Sequence, residues 1–191
     1  MGRALVRLTL AAALTSVSLV TLAAQSATVR AERDQLHVRA PGFSFIRGEP
    51  LARLKDGQSV RVELALSVHA RPGDPSVAET RASFDLSYDL WDERFAVTLA
   101  GSPAQSASYL TPRDAEIWCL DRVTVPLTAI GRLGRDAPLW VHLEYLVSDD
   151  VDAAAGDTGM TLRGLIDRLS RRREVSNLRG AMDAGPLILT N

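Results

Sequence analysis

The chain has 191 residues, of which 46% are hydrophobic and 24% are charged, with 22 basic against 23 acidic residues. This length predicts one domain, and the composition excludes wholesale disorder, collagen and coiled coil. Because a near-neutral charge lacks the basic excess of a nucleic-acid-binding domain, we expect no nucleic-acid partner.

The first segment of the chain has the pattern of a secretory signal peptide. Arg3 and Arg7 provide a positive start, and the apolar stretch 8–24 has only Thr and Ser as polar members. Small residues around Ala24 match a small-x-small cleavage pattern. We therefore expect residues 1–27 to be a signal peptide and the protein to be exported to the periplasm or cell envelope. An uncleaved membrane anchor is the alternative, because about 17 apolar residues approach the length that spans a bilayer.

Alternation of apolar and polar residues predicts the main strands. It runs over 60–68, 82–90, 95–99 and 139–147, and a period of two with one apolar face is typical of half-buried strands. The second and third runs are joined by a few polar residues, which predicts a β-hairpin. Its inward side chains are expected to be Phe84, Leu86, Tyr88 and Leu90, followed by Phe95, Val97 and Leu99. Both faces of 139–147 are partly apolar, so we expect that strand to be central or covered.

Weaker apolar runs predict further short strands at 36–38, 43–46, 123–127 and 187–189. Pro126 places the third of these at an edge or a bulge, because proline cannot donate a ladder hydrogen bond. Together the strands predict a mainly β fold, an antiparallel β-sandwich of the immunoglobulin-like or a similar type, over residues 28–148.

Two short helices are predicted within the body. Thr111, Pro112 and Asp114 have the order of an N-cap, a first-position proline and an acidic first turn, which predicts a helix toward Leu120. A single turn is predicted over residues 50–55, closed by Gly57.

Residues 149–159 form a predicted acidic linker, and residues 160–191 a predicted C-terminal amphipathic helix and tail. A leucine-rich stripe lies opposite an arginine-rich face in this helix. The candidate interaction surface comprises Leu162, Arg163, Leu165, Ile166, Arg168, Leu169, Arg171, Arg172 and Arg173. A basic amphipathic helix can bind an anionic membrane surface or a protein partner. The alternative is that the stripe packs on the body and the arginines face water.

Motifs for catalysis and metal binding are missing from the sequence. There is no Gly-x-Ser-x-Gly elbow, no phosphate-binding Gly-x-x-x-x-Gly-Lys loop and no His-Glu-x-x-His pair. The histidines His37, His69 and His142 are far apart, so we expect no metal and no cofactor. Cys119 lacks a neighbouring base and is expected to be a buried, inert thiol. We therefore expect a protein that is not an enzyme.

Acidic residues around the hairpin leave one catalytic alternative open. They are Asp85, Asp89, Asp92 and Glu93. Asp85 and Asp89 share one strand face, so a glycosidase-like acid/base pair acting on carbohydrate or cell wall is conceivable. Solubilising charges on an outward face are the simpler explanation.

The hairpin sequence Tyr88-Asp89-Leu90-Trp91-Asp92-Glu93-Arg94-Phe95 resembles the central motif of a family of exported bacterial proteins whose domain has no known function. The spacing Leu51-x-x-Leu54-x-x-Gly57 before a strand, and the strand from Leu139 to Tyr145, support the resemblance. It covers residues 36–147 and implies a secreted or envelope-located β-sandwich, with no catalytic residues to carry over. It also suggests a membrane sensor protein as a class of partner.

The sequence therefore predicts an exported, non-catalytic binding or protein-interaction module whose partner is an envelope protein. Two alternatives stay open at this point. One is a peripheral membrane protein held by the basic C-terminal helix, and the other is an enzyme that uses the hairpin carboxylates.

Overall fold

A computed structural model describes residues 27–101, 105–134, 136–148 and 178–190. In this part of the chain the fold is mainly β, with two antiparallel sheets and few, short helices, as the sequence predicts. The strands are β1 (Thr28–Glu32), β2 (Gln35–Arg39), β3 (Val60–His69), β4 (Ser76–Asp89), β5 (Arg94–Leu99), β6 (Gln105–Leu110), β7 (Val125–Pro126), β8 (Leu139–Ser148) and β9 (Leu178–Leu187). The helices are α1 (Glu49–Lys55), α2 (Pro112–Leu120) and α3 (Leu127–Ile130), the last followed by a 3-10 turn at Gly131–Leu133.

The larger sheet has six strands in the order β6-β5-β4-β3-β8-β9, and the smaller one has the order β1-β2-β7. Along β3, every second residue from Val60 to Val68 is buried, so the predicted alternation is confirmed. β8 lies between β3 and β9, which confirms the prediction that it is an interior strand.

One hydrophobic core joins the two sheets and the helices. Buried side chains of the large sheet, such as Phe84 and Leu64, belong to the same cluster as Val29 and Leu36 of the small sheet and Leu54 of α1. This arrangement is sandwich-like. The outer face of the large sheet instead carries polar residues in cross-strand pairs.

The β4–β5 hairpin forms as predicted, with Phe84 opposite Leu99 and Asp89 opposite Arg94. The prediction that Leu90 points inward is wrong, because its side chain is 58% exposed. β4 ends at Asp89, and the turn that follows takes Leu90 out of the alternating pattern.

The predicted strand at 43–46 is wrong. Phe43, Phe45 and Ile46 are buried, but the backbone N–H groups of Phe45 and Ile46 donate to Oε1 of Glu116 in α2, at 2.8 and 2.9 Å. The segment therefore pairs with a side chain and not with a strand. Of the predicted strand at 123–127, only Val125–Pro126 pairs with β2, at the edge of the small sheet, and Leu127 begins α3.

Further strands differ from the predictions. β4 begins at Ser76, six residues before the predicted start at 82. β1 and β6 lie outside the predicted strands, because runs of five or six residues are too short to show a clear alternation. β9 covers 178–187, and not only the predicted 187–189, so the tail after the predicted C-terminal helix completes the large sheet. The inward positions of β9 include Gly180, on which the ring of Tyr145 lies so closely that a β-carbon would collide with it.

The end of the chain also reaches the small sheet. Thr190 forms a parallel bridge with Arg30 of β1, and the N–H of Ala31 donates to the Thr190 carbonyl at 2.8 Å. The Thr190 hydroxyl donates to the carbonyl of Val29 at 2.9 Å.

Both predicted body helices are present. The Thr111 hydroxyl oxygen accepts a hydrogen bond from the N–H of Asp114, so the predicted N-cap of α2 is confirmed. In the residues that the structure describes, we find no helix with the length and apolar character needed to cross a bilayer.

Candidate interaction site at the hairpin tip

The tip of the β4–β5 hairpin, residues 90–93, is held by the side chain at the end of β4. Oδ1 of Asp89 accepts hydrogen bonds from the N–H groups of Trp91 and Asp92, at 2.8 and 3.1 Å. This is the local pairing by which aspartate stabilises turns. The bonds from Asp92 and Trp91 hold the pKa of Asp89 below its ordinary value of 3.8, because they favour the carboxylate form. Glu93, with a φ of 52°, completes the turn.

This ordered turn presents two apolar side chains to solvent. Trp91 is 96% exposed, and Leu90 beside it is 58% exposed. Leu90 lies near Gly57, after α1, where an added β-carbon would come 3.9 Å from its Cδ1. Single exposed apolar residues are common on protein surfaces. An exposed tryptophan next to an exposed leucine on a fixed turn is the pattern of a binding anchor, since tryptophan supplies large contact area with little rotamer entropy to lose.

The apolar tip has an acidic rim. Asp92 and Glu93 are exposed and follow Trp91 directly, and Arg94 opposite Asp89 is the nearest basic residue in the sequence. A binding surface that accepts this tip therefore needs an apolar recess with positive charge beside it.

The two carboxylates of the enzymatic alternative, Asp85 and Asp89, have separate hydrogen-bond partners. Asp85 accepts two hydrogen bonds from Arg61, at 2.7 and 3.1 Å, and Asp89 holds the turn. Four residues along a strand separate their α-carbons by about 13 Å. Paired glycosidase carboxylates lie roughly 5 to 9.5 Å apart. The enzymatic alternative at the hairpin stays a prediction.

The histidines lie in separate places. Nδ1 of His69 is 2.7 Å from the carbonyl of Asp74, and Nδ1 of His142 is 2.7 Å from Oδ1 of Asp183 on β9. His37 lies in β2, in the other sheet. Among the described residues there is no group of three histidine, cysteine or acidic side chains that could bind a metal ion.

Cys119 lies on α2 and is fully buried. Loss of hydration on burial raises the pKa of its thiol far above the ordinary value, which keeps the sulfur protonated. The buried position predicted for Cys119 is confirmed.

The interaction surface predicted on the C-terminal helix, from Leu162 to Arg173, lies outside the described residues, as do the predicted acidic linker and most of the signal peptide. That surface stays a prediction. Sequence reasoning did not single out Trp91 as a binding residue, although a tryptophan among acidic residues between two alternating runs was a usable signal. It also missed Glu116, whose buried position has no local signature in the sequence.

Neither a family model, nor a curated protein, nor a solved structure matches the chain. The family resemblance of the hairpin motif therefore stays a prediction.

Proposed function

We propose that this chain is an exported, non-catalytic interaction module of the periplasm or cell envelope, which binds a protein partner through its hairpin tip. In this proposal the body is a β-sandwich of the immunoglobulin-like or a similar type, and the partner is an envelope protein. The family resemblance suggests a membrane sensor protein as the partner class.

The single observation that carries the proposal is the 96% exposure of Trp91 on a turn fixed by Asp89. Burying one aromatic side chain removes roughly 150–250 Å² from water. At about 25 cal/mol per Å², burial of the exposed ring against a partner would gain several kcal/mol of hydrophobic free energy. Because the turn is already fixed, little further entropy is lost on binding.

A non-catalytic role is supported by the carboxylates near the tip, because two of them form hydrogen bonds with structural partners. Asp85 pairs with Arg61, and Asp89 binds backbone N–H groups of its own turn. Export is proposed from the signal-peptide pattern of residues 1–27.

Site-specific photo-crosslinking in the native host tests the proposal. A benzophenone amino acid replaces Trp91, and a matched control replaces Ile188, which is 62% exposed and lies far from the hairpin in sequence. We expect a discrete adduct from position 91 and none of the same mass from position 188. Affinity capture with Trp91→Ala should then lose that partner, whereas Ile188→Ala should retain it.

Adducts that are equal from both positions, or unchanged capture by Trp91→Ala, would contradict binding through the tip. Export is checked separately by cell fractionation and by the N-terminal sequence of the mature chain. We expect the protein in the periplasmic or envelope fraction with an N-terminus near residue 27, and recovery of the uncleaved chain in the cytosol would contradict this.

A further inference from the structure

A cleft between β2 and α2 has the properties that the hairpin tip requires. Its apolar lining comes from Val38, Ala40 and Pro41 on one side and from Ile117 and Leu120 on the other. Its volume is about 240 Å³. A cavity of about 150 Å³ is large enough for benzene. The cleft is therefore large enough to accept an indole ring.

The rim of the cleft is mainly basic. Arg39 and Arg113 both line it. Arg113 is 44% exposed, and its contact with Oε2 of Glu116 is 3.6 Å long. A guanidinium has five N–H donors, so Arg113 can donate hydrogen bonds to a second carboxylate without losing that contact. Asp121 is the acidic member of the lining.

We propose that this cleft receives the hairpin tip of a second copy of the chain. This inference rests on the proposed function, because it names the partner of the same tip. Trp91 enters the apolar floor, Asp92 and Glu93 meet the arginine rim, and Arg94 has its counterpart in Asp121. The apolar side chain of the tip thus meets an apolar floor, and the charged side chains of the tip meet charges of opposite sign.

The contact joins two different surfaces of the chain, the tip of one copy and the cleft of the next. In a pair of copies, one therefore keeps an unused cleft and the other an unused tip, unless the two copies pair reciprocally. An interface built around one side chain is small, which places it in the weak and transient class.

Sedimentation velocity of the purified full chain, from about 10 µM to about 1 mM, tests the contact. Trp91→Ala removes the anchor, and Ile117→Asp places a charge in the cleft. Val77→Asp is the matched control, because Val77 and Ile117 are 40% and 39% exposed. We expect the average mass to rise with concentration for the wild type and for Val77→Asp. Both Trp91→Ala and Ile117→Asp should stay monomeric.

The decisive experiment is a mixture of the two monomeric variants. The Ile117→Asp chain keeps an intact tip, and the Trp91→Ala chain keeps an intact cleft. The mixture should therefore form a pair of one copy each, which misfolded variants could not do. A mixture that stays monomeric overturns the inference, as does association of Trp91→Ala equal to that of the wild type.

The outcomes separate this inference from the proposed function. A wild type that stays monomeric up to about 1 mM, combined with a position-91 adduct to another envelope protein, overturns self-association and leaves the tip as a binding site. A monomeric wild type without any adduct from position 91 overturns both.

Discussion

The carboxylate of Glu116 accepts a hydrogen bond at 2.8 Å from the backbone N–H of Phe45, which lies 71 positions earlier in the chain. The same oxygen accepts bonds from the N–H of Ile46 and from the Ser44 hydroxyl. α2 and the loop 43–46 are thus joined by one buried side chain. Removing it leaves two buried N–H groups without a partner.

We expect Glu116→Ala to lower the free energy of unfolding by about 3 kcal/mol, because unsatisfied buried donors cost roughly 1–3 kcal/mol each. Glu116→Gln keeps an acceptor oxygen and should cost less. Urea unfolding followed by tryptophan fluorescence measures both. Arg113→Ala is the control, since it removes only a half-exposed ion pair worth at most about 1 kcal/mol. If Glu116→Ala lost less free energy of unfolding than Arg113→Ala, this role of the Glu116 carboxylate would be contradicted.

The turn of the hairpin is expected to weaken in acid. The pKa of Asp89 is lower in the folded protein than its ordinary value of 3.8, so folding stabilises its ionised form. This contribution is present above pH 3.8 and is lost as the pH falls through the lower, folded-state pKa. An NMR titration of the Asp89 carboxyl carbon should give a midpoint below the ordinary value of 3.8.

Substitution provides the control for this titration. Asp89→Asn keeps a turn-forming acceptor, whereas Asp89→Ala does not. We expect the alanine variant to change the amide resonances of Trp91 and Asp92 at neutral pH more than the asparagine variant does. Equal spectra for the two variants would contradict the hydrogen bonds described.

Gly180 is expected to tolerate no side chain. The Tyr145 ring fills the space of its missing β-carbon and also packs against Phe43, with centroids 5.6 Å apart. Gly180→Ala should therefore lower the free energy of unfolding by about 1–3 kcal/mol, as for other overpacked sites.

Gly131 is the matched control for that substitution. Its added β-carbon would meet nothing within 4 Å. Because alanine restricts the unfolded chain more than glycine, Gly131→Ala should be neutral or slightly stabilising in thermal unfolding. If Gly180→Ala unfolds at the same temperature as Gly131→Ala, the close contact between the Tyr145 ring and Gly180 is contradicted.

The Cys119 thiol is expected to react only after unfolding. Burial raises its pKa and removes access, so a disulfide reagent at pH 8 should leave the native protein unmodified and modify one thiol per chain in denaturant. The unfolded chain loses the thiol proton near its ordinary pKa of 9.0 while the folded chain keeps it. Stability should therefore fall as the pH rises above that value, and Cys119→Ala should remove this part of the alkaline loss. Rapid labelling of the native chain would contradict the burial.

The sequence pattern predicted strands well where burial on one face decides the residue types. β3 alternates without interruption because its neighbours β4 and β8 cover both edges and the core covers one face. β9 escaped prediction because its inward positions include Gly180, Met182 and Ala184. Gly180 lies against the Tyr145 ring and interrupts the apolar alternation of Leu178, Met182 and Ala184.

Less of the candidate site could be predicted from the sequence. The hairpin and its polar turn were predictable, but the outward direction of Leu90 depends on where Asp89 ends β4. The error at 43–46 has a longer range, because that loop pairs with Glu116 in α2. The cleft combines β2 with α2, and no local pattern joins Val38 to Ile117.

The bridge between Arg30 and Thr190 sets the order in which the molecule can be completed. The Thr190 hydroxyl also donates to the Val29 carbonyl, 161 positions earlier, so this hydrogen bond cannot form until Thr190 has been synthesised. Contacts of such long sequence separation form late, after the loop between them has closed. A chain halted during synthesis before Thr190 emerges therefore leaves one edge of β1 without this partner, and an unpaired edge can accept another chain as an added strand.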